Sequence, residues 1–107
     1  MHEKDLKLKE VIRALAAEYF QRESNGQSLI TITDVEIRAH GSRAIILVTV
    51  LPVGEEDAAV KFIHRQLTTF RQFVMERSRI MRVPLFDVAI DKGEKNRQRL
   101  DEVSKTM

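Results

Sequence analysis

Residues 29–51 read LITITDVEIR-AHGS-RAIILVTVL, and this stretch decides the fold. Its first ten residues are rich in β-branched side chains and contain no Gly or Pro, the pattern of a strand. Val35 and Ile37 alternate with Asp34 and Glu36, so one face of that strand is buried and the other wet. Ala39-His40-Gly41-Ser42 is a turn, and its glycine accepts positive φ. Arg43 to Leu51 is apolar at nearly every position, as in a strand that is central in its sheet or covered on both sides. With so short a turn between them, the two strands form an antiparallel hairpin.

The elements around the hairpin follow. Leu8, Val11, Ile12, Leu15, Ala16, Tyr19 and Phe20 keep the three-four spacing of one helical face. Ser24-Asn25-Gly26 supplies a helix stop. After the hairpin, Pro52-Val53-Gly54 ends the strand, and Glu55-Glu56-Asp57 opens a helix with acids at its positive dipole end. The apolar positions Ala59, Phe62, Ile63, Leu67, Phe70, Phe73 and Val74 carry helical spacing through a pattern from about 56 to 82. That is long for so small a domain. The adjacent β-branched pair Thr68-Thr69 near its middle predicts one bent helix or two in tandem. Pro84 ends the pattern, and Leu85 to Ile90 (LFDVAI) reads as a third strand, with Leu85 out of phase with Phe86, Val88 and Ile90. The expected order is α-β-β-α-α-β: an α+β fold of one domain. Its three-stranded sheet has helices covering one face if the third strand runs parallel to the second. Residues 3–92 form the domain, and 93–107, anchored only by Leu100 and Val103 before Met107, a short helix or frayed tail.

Composition narrows the function. The chain has 107 residues, 43% hydrophobic and 32% charged, enough for one folded domain. It has no cysteine, which excludes disulfides, thiol catalysis and zinc-thiolate sites. The longest apolar run, Ala44 to Val48, is too short to span a bilayer, so no membrane role is expected. The first residues lack the apolar core of a signal peptide, and the expected location is cytoplasmic. His2, His40 and His64 are scattered, no serine sits in a nucleophile-elbow context, and the four glycines stand apart. No metal, cofactor or small-molecule substrate is therefore expected, and no enzyme.

The charge is uneven. Net charge is only +2, but residues 1–60 carry 7 basic and 10 acidic side chains, whereas 61–82 carry six basic (Lys61, Arg65, Arg71, Arg77, Arg79, Arg82) against Glu76 alone. Arginine takes phosphate oxygens bidentately, and cations at this density along a helix can track a nucleic-acid backbone. With one tyrosine and no tryptophan, phosphate and shape recognition is favoured over base stacking.

Several strings taken in order resemble the ribosome-binding factor A family. Thr31-Ile32-Thr33-Asp34-Val35-Glu36-Ile37 and Ala44-Ile45-Ile46-Leu47-Val48-Thr49-Val50-Leu51 are similar to its paired strands. Phe70-Arg71, then Arg82-Val83-Pro84-Leu85-Phe86, and Asp91 after the last strand match further positions. The similarity covers about residues 6 to 92. The resemblance implies a type II K-homology-like fold and no catalysis. It further implies binding of the immature small ribosomal subunit and its rRNA during late maturation. The sequence departs from the family at Gln66-Leu67-Thr68, where the family's helix kink has Ala and Gly, at His40-Gly41, and at Met81, where the family has its basic residue.

The expected RNA-binding residues are Lys61, Arg65, Thr68, Thr69, Arg71, Arg77, Arg79 and Arg82, with the threonines at the bend approaching the backbone. The partner expected is the small ribosomal subunit with its rRNA, bound by a monomer. Two other readings are a K-homology-like module for other RNA and a small protein-interaction domain using a sheet edge or the first helix.

Overall fold

The computed structural model describes residues 3–23, 26 and 28–93. Helix α1 (Glu3–Glu23) leads into strand β1 (Leu29–Arg38), a 3-10 turn (Ala39–Gly41), strand β2 (Arg43–Leu51), helix α2 (Glu56–Arg77) and strand β3 (Leu85–Ile90). The sheet order is β1-β2-β3. β1 pairs antiparallel with β2, and β3 pairs parallel to β2. The apolar β2 is thus the central strand, as its composition requires. All three strands occupy the ranges read from the sequence.

Alternation along β2 assigns the faces. Ala44, Ile46, Val48 and Val50 are buried. Three of them join Tyr19 and Phe20 of α1 and Ile63, Phe70 and Val74 of α2 in one core. Both helices therefore cover the same face of the sheet. A smaller core of Ile12, Val35 and Ala44 lies under the first half of α1. The architecture is the α+β, three-stranded, one-face-covered arrangement expected. At its centre, Phe70 stands 5.5 Å from Tyr19, 5.3 Å from Phe20 and 4.9 Å from Phe86, ring centroid to centroid.

One expectation is corrected. The stretch after β2 is not divided into two helices: α2 is a single 22-residue helix that runs through Gln66, Leu67, Thr68 and Thr69. The element order of the described residues is α-β-β-α-β. Three features keep the helix whole. Ile63, Leu67, Phe70 and Val74 form an unbroken buried stripe. The Tyr19 hydroxyl donates to Gln66 Oε1 at 2.9 Å, at the position where the kink was sought. Thr68 and Thr69 face solvent, where their propensity penalty of a few tenths of a kcal/mol each is outweighed by that burial. The helix also ends at Arg77 rather than near 82. Ser78 turns extended, and both its backbone N–H and its hydroxyl bond the Val74 carbonyl, at 3.0 and 2.7 Å. This is a serine competing with the helix ladder.

A bulge interrupts the hairpin between Ile32 and Asp34, leaving Thr33 as the extra residue. The Thr33 hydroxyl donates to Asp91 Oδ2 at 2.6 Å, with the Leu47 carbonyl at 3.2 Å as a second acceptor. Asp91 N–H continues the ladder onto Val48 O at 2.8 Å. Asp91 therefore clasps the end of β3 to β1 across the central strand. The helix-stop residues Ser24 and Asn25, and residues 94–107 of the expected C-terminal segment 93–107, lie outside the described residues.

Phe70 is fully buried, so Phe70→Ala should cost about 3–5 kcal/mol. Urea unfolding followed by circular dichroism checks this, and a loss below about 1 kcal/mol would contradict the packing described.

Candidate nucleic-acid interface

The eight residues expected to bind RNA fall into three groups. Lys61, Arg65, Thr68 and Thr69 are exposed on the outer face of α2. Their spacing of four, three and one keeps them on one side of the helix, opposite the buried stripe. This is an open strip with cationic heads on one half and hydroxyls on the other.

Arg71 and Arg77 are engaged within the fold. Arg71 is half-buried. Its Nε donates to Pro84 O at 3.2 Å and its Nη2 to Val83 O at 2.9 Å. The fork of the guanidinium thus fastens the segment leading into β3 to the side of α2. Arg77 lies 4.9 Å from the centroid of the Phe73 ring, and its Nη1 is 3.4 Å from Glu18 Oε1 of α1. That pair is half exposed and adds little stability.

Arg79 and Arg82 form the third group. Both are exposed, and among the described residues neither has an ion-pair or hydrogen-bond partner. They sit on the irregular segment after α2 and, with Arg71, line one side of a cleft of about 1120 Å³. The first half of α1 and the hairpin turn form its other walls. Sequence reading thus found cations that the structure places on the outer face of α2, against α1, and at the cleft beyond the end of α2.

The sequence reading missed three elements of this geometry. The cleft itself has only one signal in the sequence, Met81 standing between arginines. Asp91 was noted by resemblance, but its clasp on Thr33 depends on a bulge that no residue pattern announces. Asp34, read as a wet-face residue, forms an ion pair with Lys9 of α1 at 2.9 Å and accepts the Val35 N–H at 2.8 Å. Burial pushes its pKa up. The Lys9 hydrogen bond, the Val35 N–H and the charges of Lys9 and Arg13 outweigh that and hold it below the ordinary aspartate value. Among the described residues no group of three or more His, Asp or Glu is placed to hold a metal. None of their helices is long and apolar enough to cross a membrane.

Among solved structures, ribosome-binding factor A from Thermus thermophilus superposes with a TM-score of 0.71, over 79% of this chain and 93% of that one. The fold is that of ribosome-binding factor A. Sequence identity to the Thermus protein is 21%. A Thermotoga maritima protein, a candidate ribosome binding factor A solved in solution, superposes with a TM-score of 0.68. That match covers 82% of this chain and 87% of its own, at 26% identity. No protein-family model and no curated protein matches the chain. The resemblance to ribosome-binding factor A read at residues 31–37, 44–51 and 82–86 is borne out. The first two strings are strands β1 and β2, and the third runs from the Arg71-fastened segment into β3.

Two measurements test the electrostatic reading. Folding lowers the Asp34 pKa, so its ionised form stabilises the fold above the ordinary aspartate value of about 4. The gain is lost as pH falls through that range to below the folded value. Asp34→Asn should lower the melting temperature at neutral pH, and the difference should shrink at a pH below the ordinary aspartate value. Equal offsets at both pH values would contradict the assignment. Arg71→Ala leaves the Val83 and Pro84 carbonyls without these donors and should cost about 1–3 kcal/mol. Arg71→Lys, which keeps the charge but lacks the rigid planar fork of Nε and Nη2, should recover only part of it in urea unfolding.

Proposed function

We propose that this chain is a ribosome-binding factor A that associates with the immature small ribosomal subunit and its rRNA during late maturation, in the cytoplasm and as a monomer. The observation that carries the reading is the fold shared with two such proteins over most of their length. The collinear strings at the same elements support it.

On this reading the outer face of α2 meets the rRNA. Lys61 and Arg65 neutralise phosphates, and the Thr68 and Thr69 hydroxyls donate to phosphate or ribose oxygens from the same side of the helix. The excess of positive charge over residues 61–82 steers the encounter. Because α2 is one unbroken helix, it offers a line of contacts, suited to a duplex edge or a regular backbone.

The mechanism is occupancy without catalysis. The protein binds one rRNA conformer more tightly than the mature one, holds it populated, and leaves when the competing structure forms. Differential affinity is the only source of such a shift: a ligand with equal affinity for both conformers moves nothing.

The test is sedimentation of the tagged full chain with ribosomal fractions at low and raised salt. The expected result is association with free small subunits, not with complete ribosomes, weakening as salt rises. The double variant K61E/R65E, on exposed positions, should keep its fold by circular dichroism and reduce the bound fraction at least about fivefold. Absence of the chain from every ribosomal fraction at low salt would overturn the reading.

A further inference from the structure

The cleft bounded by α1, the hairpin turn and the segment after α2 has a property that phosphate binding does not use. Much of its lining is aliphatic. Val11 is 38% exposed, Met75 47%, Leu85 58% and Met81 99%, and all four open onto it. Single exposed hydrophobic residues are ordinary, but several converging on one concavity mark a contact surface.

Met81 is not exposed because its segment is loose. Val83 and Pro84 behind it are buried, and Ile80 before it packs against the core. The Arg71 guanidinium holds the Val83 and Pro84 carbonyls, and Leu85 N–H bonds the Ser42 carbonyl of the hairpin turn at 3.0 Å. A large apolar side chain is thus held out in water by a fastened backbone. Docking on it requires little further ordering. The opposite wall is set as firmly: Ala39, His40 and Gly41 all have positive φ (52°, 56° and 87°). The Ser42 N–H and hydroxyl both close onto the Ala39 carbonyl there, at 3.1 and 2.7 Å.

The charge around this apolar floor has one dominant sign. Arg79 and Arg82 flank Met81 without partners among the described residues, and Lys7 and His40 stand on the other walls; among the described residues Asp5 is the only acid lining the cleft. No phenylalanine, tyrosine or tryptophan ring among them lines it, so an unpaired base finds no aromatic platform. A phosphodiester backbone would in turn leave the aliphatic floor wet. The complement of an aliphatic, methionine-bearing floor with a cationic rim is a protein segment.

We propose that this cleft docks a segment of a partner protein, a short apolar run flanked by aspartate or glutamate. Its apolar side chains pack on Met75 and Met81, and its carboxylates bond Arg79 and Arg82. This surface is separate from the outer face of α2, and the proposal does not rest on the rRNA reading.

The test uses the full chain in its own cells with the photoreactive substitution Met81→p-benzoylphenylalanine, and Thr68→p-benzoylphenylalanine for comparison. Illumination should join position 81 to a protein, and mass spectrometry of the joined peptide should show an apolar run flanked by acids. R79E/R82E should reduce that adduct at least about tenfold, while R79K/R82K keeps most of it. Both positions are exposed, so unchanged thermal melts separate lost docking from lost folding. A synthetic peptide of the joined segment should bind the purified chain, and Met81→Ser should weaken it at least about fivefold. An RNA adduct at position 81, a joined segment without acids, an adduct indifferent to R79E/R82E, or no adduct would each overturn the proposal. RNA joined at position 68 reports on the rRNA reading alone, so the two can fail separately.

Discussion

Phe70 is the residue on which the arrangement depends. Its ring touches Tyr19 and Phe20 from α1, Phe73 from its own helix and Phe86 from β3. One side chain thus ties the two helices to each other and to the edge of the sheet. Aromatic pairs at these separations contribute about 0.5–1.5 kcal/mol each beyond the area they bury. Once this cluster forms, α2 has only one way to lie on the sheet, and its rotation about its own axis is set. Which residues of α2 reach solvent then follows by geometry: Lys61, Arg65, Thr68 and Thr69 lie opposite the ring-bearing side.

The same constraint explains why the basic stretch divides. Arginines at 71, 77, 79 and 82 are close in sequence, but the packing of α2 gives them unlike surroundings. Arg71 is turned toward the segment before β3 and becomes its fastener. Arg77 is turned toward α1 and lies against Phe73 and Glu18. Arg79 and Arg82 come after Ser78 has ended the helix, on an irregular segment that Arg71 fastens through the Val83 and Pro84 carbonyls. Charge density read along the chain is therefore a poor map of where each cation stands in the fold.

The hairpin was legible because a strand's alternation and a turn's glycine are local properties. The bounds of β1, β2 and β3 needed no knowledge of the rest of the chain. The bend expected near Thr68-Thr69 shows the opposite case. Local propensity and resemblance both spoke for a break there. The continuous stripe from Ile63 to Val74 and the Tyr19–Gln66 hydrogen bond keep the helix unbroken. That bond joins residues 47 apart in sequence, and no short window on the chain contains both partners. Val11 teaches the same lesson: it keeps the spacing of the buried face of α1, yet it is exposed and opens onto the cleft.

By itself the sequence determined the α+β class, the three strands and the antiparallel pairing of the first two, the amphipathic faces of both helices and the concentration of positive charge after residue 60. These follow from periodicity and composition, which each segment carries alone. Tertiary structure alone decided that α2 is unbroken, that Thr33 bulges to meet Asp91, and that Arg71 holds backbone carbonyls. It also decided that Met81 is held in water at the lip of a cationic cleft. Each of these is a contact between distant segments, whose energy exists only after the chain has closed on itself.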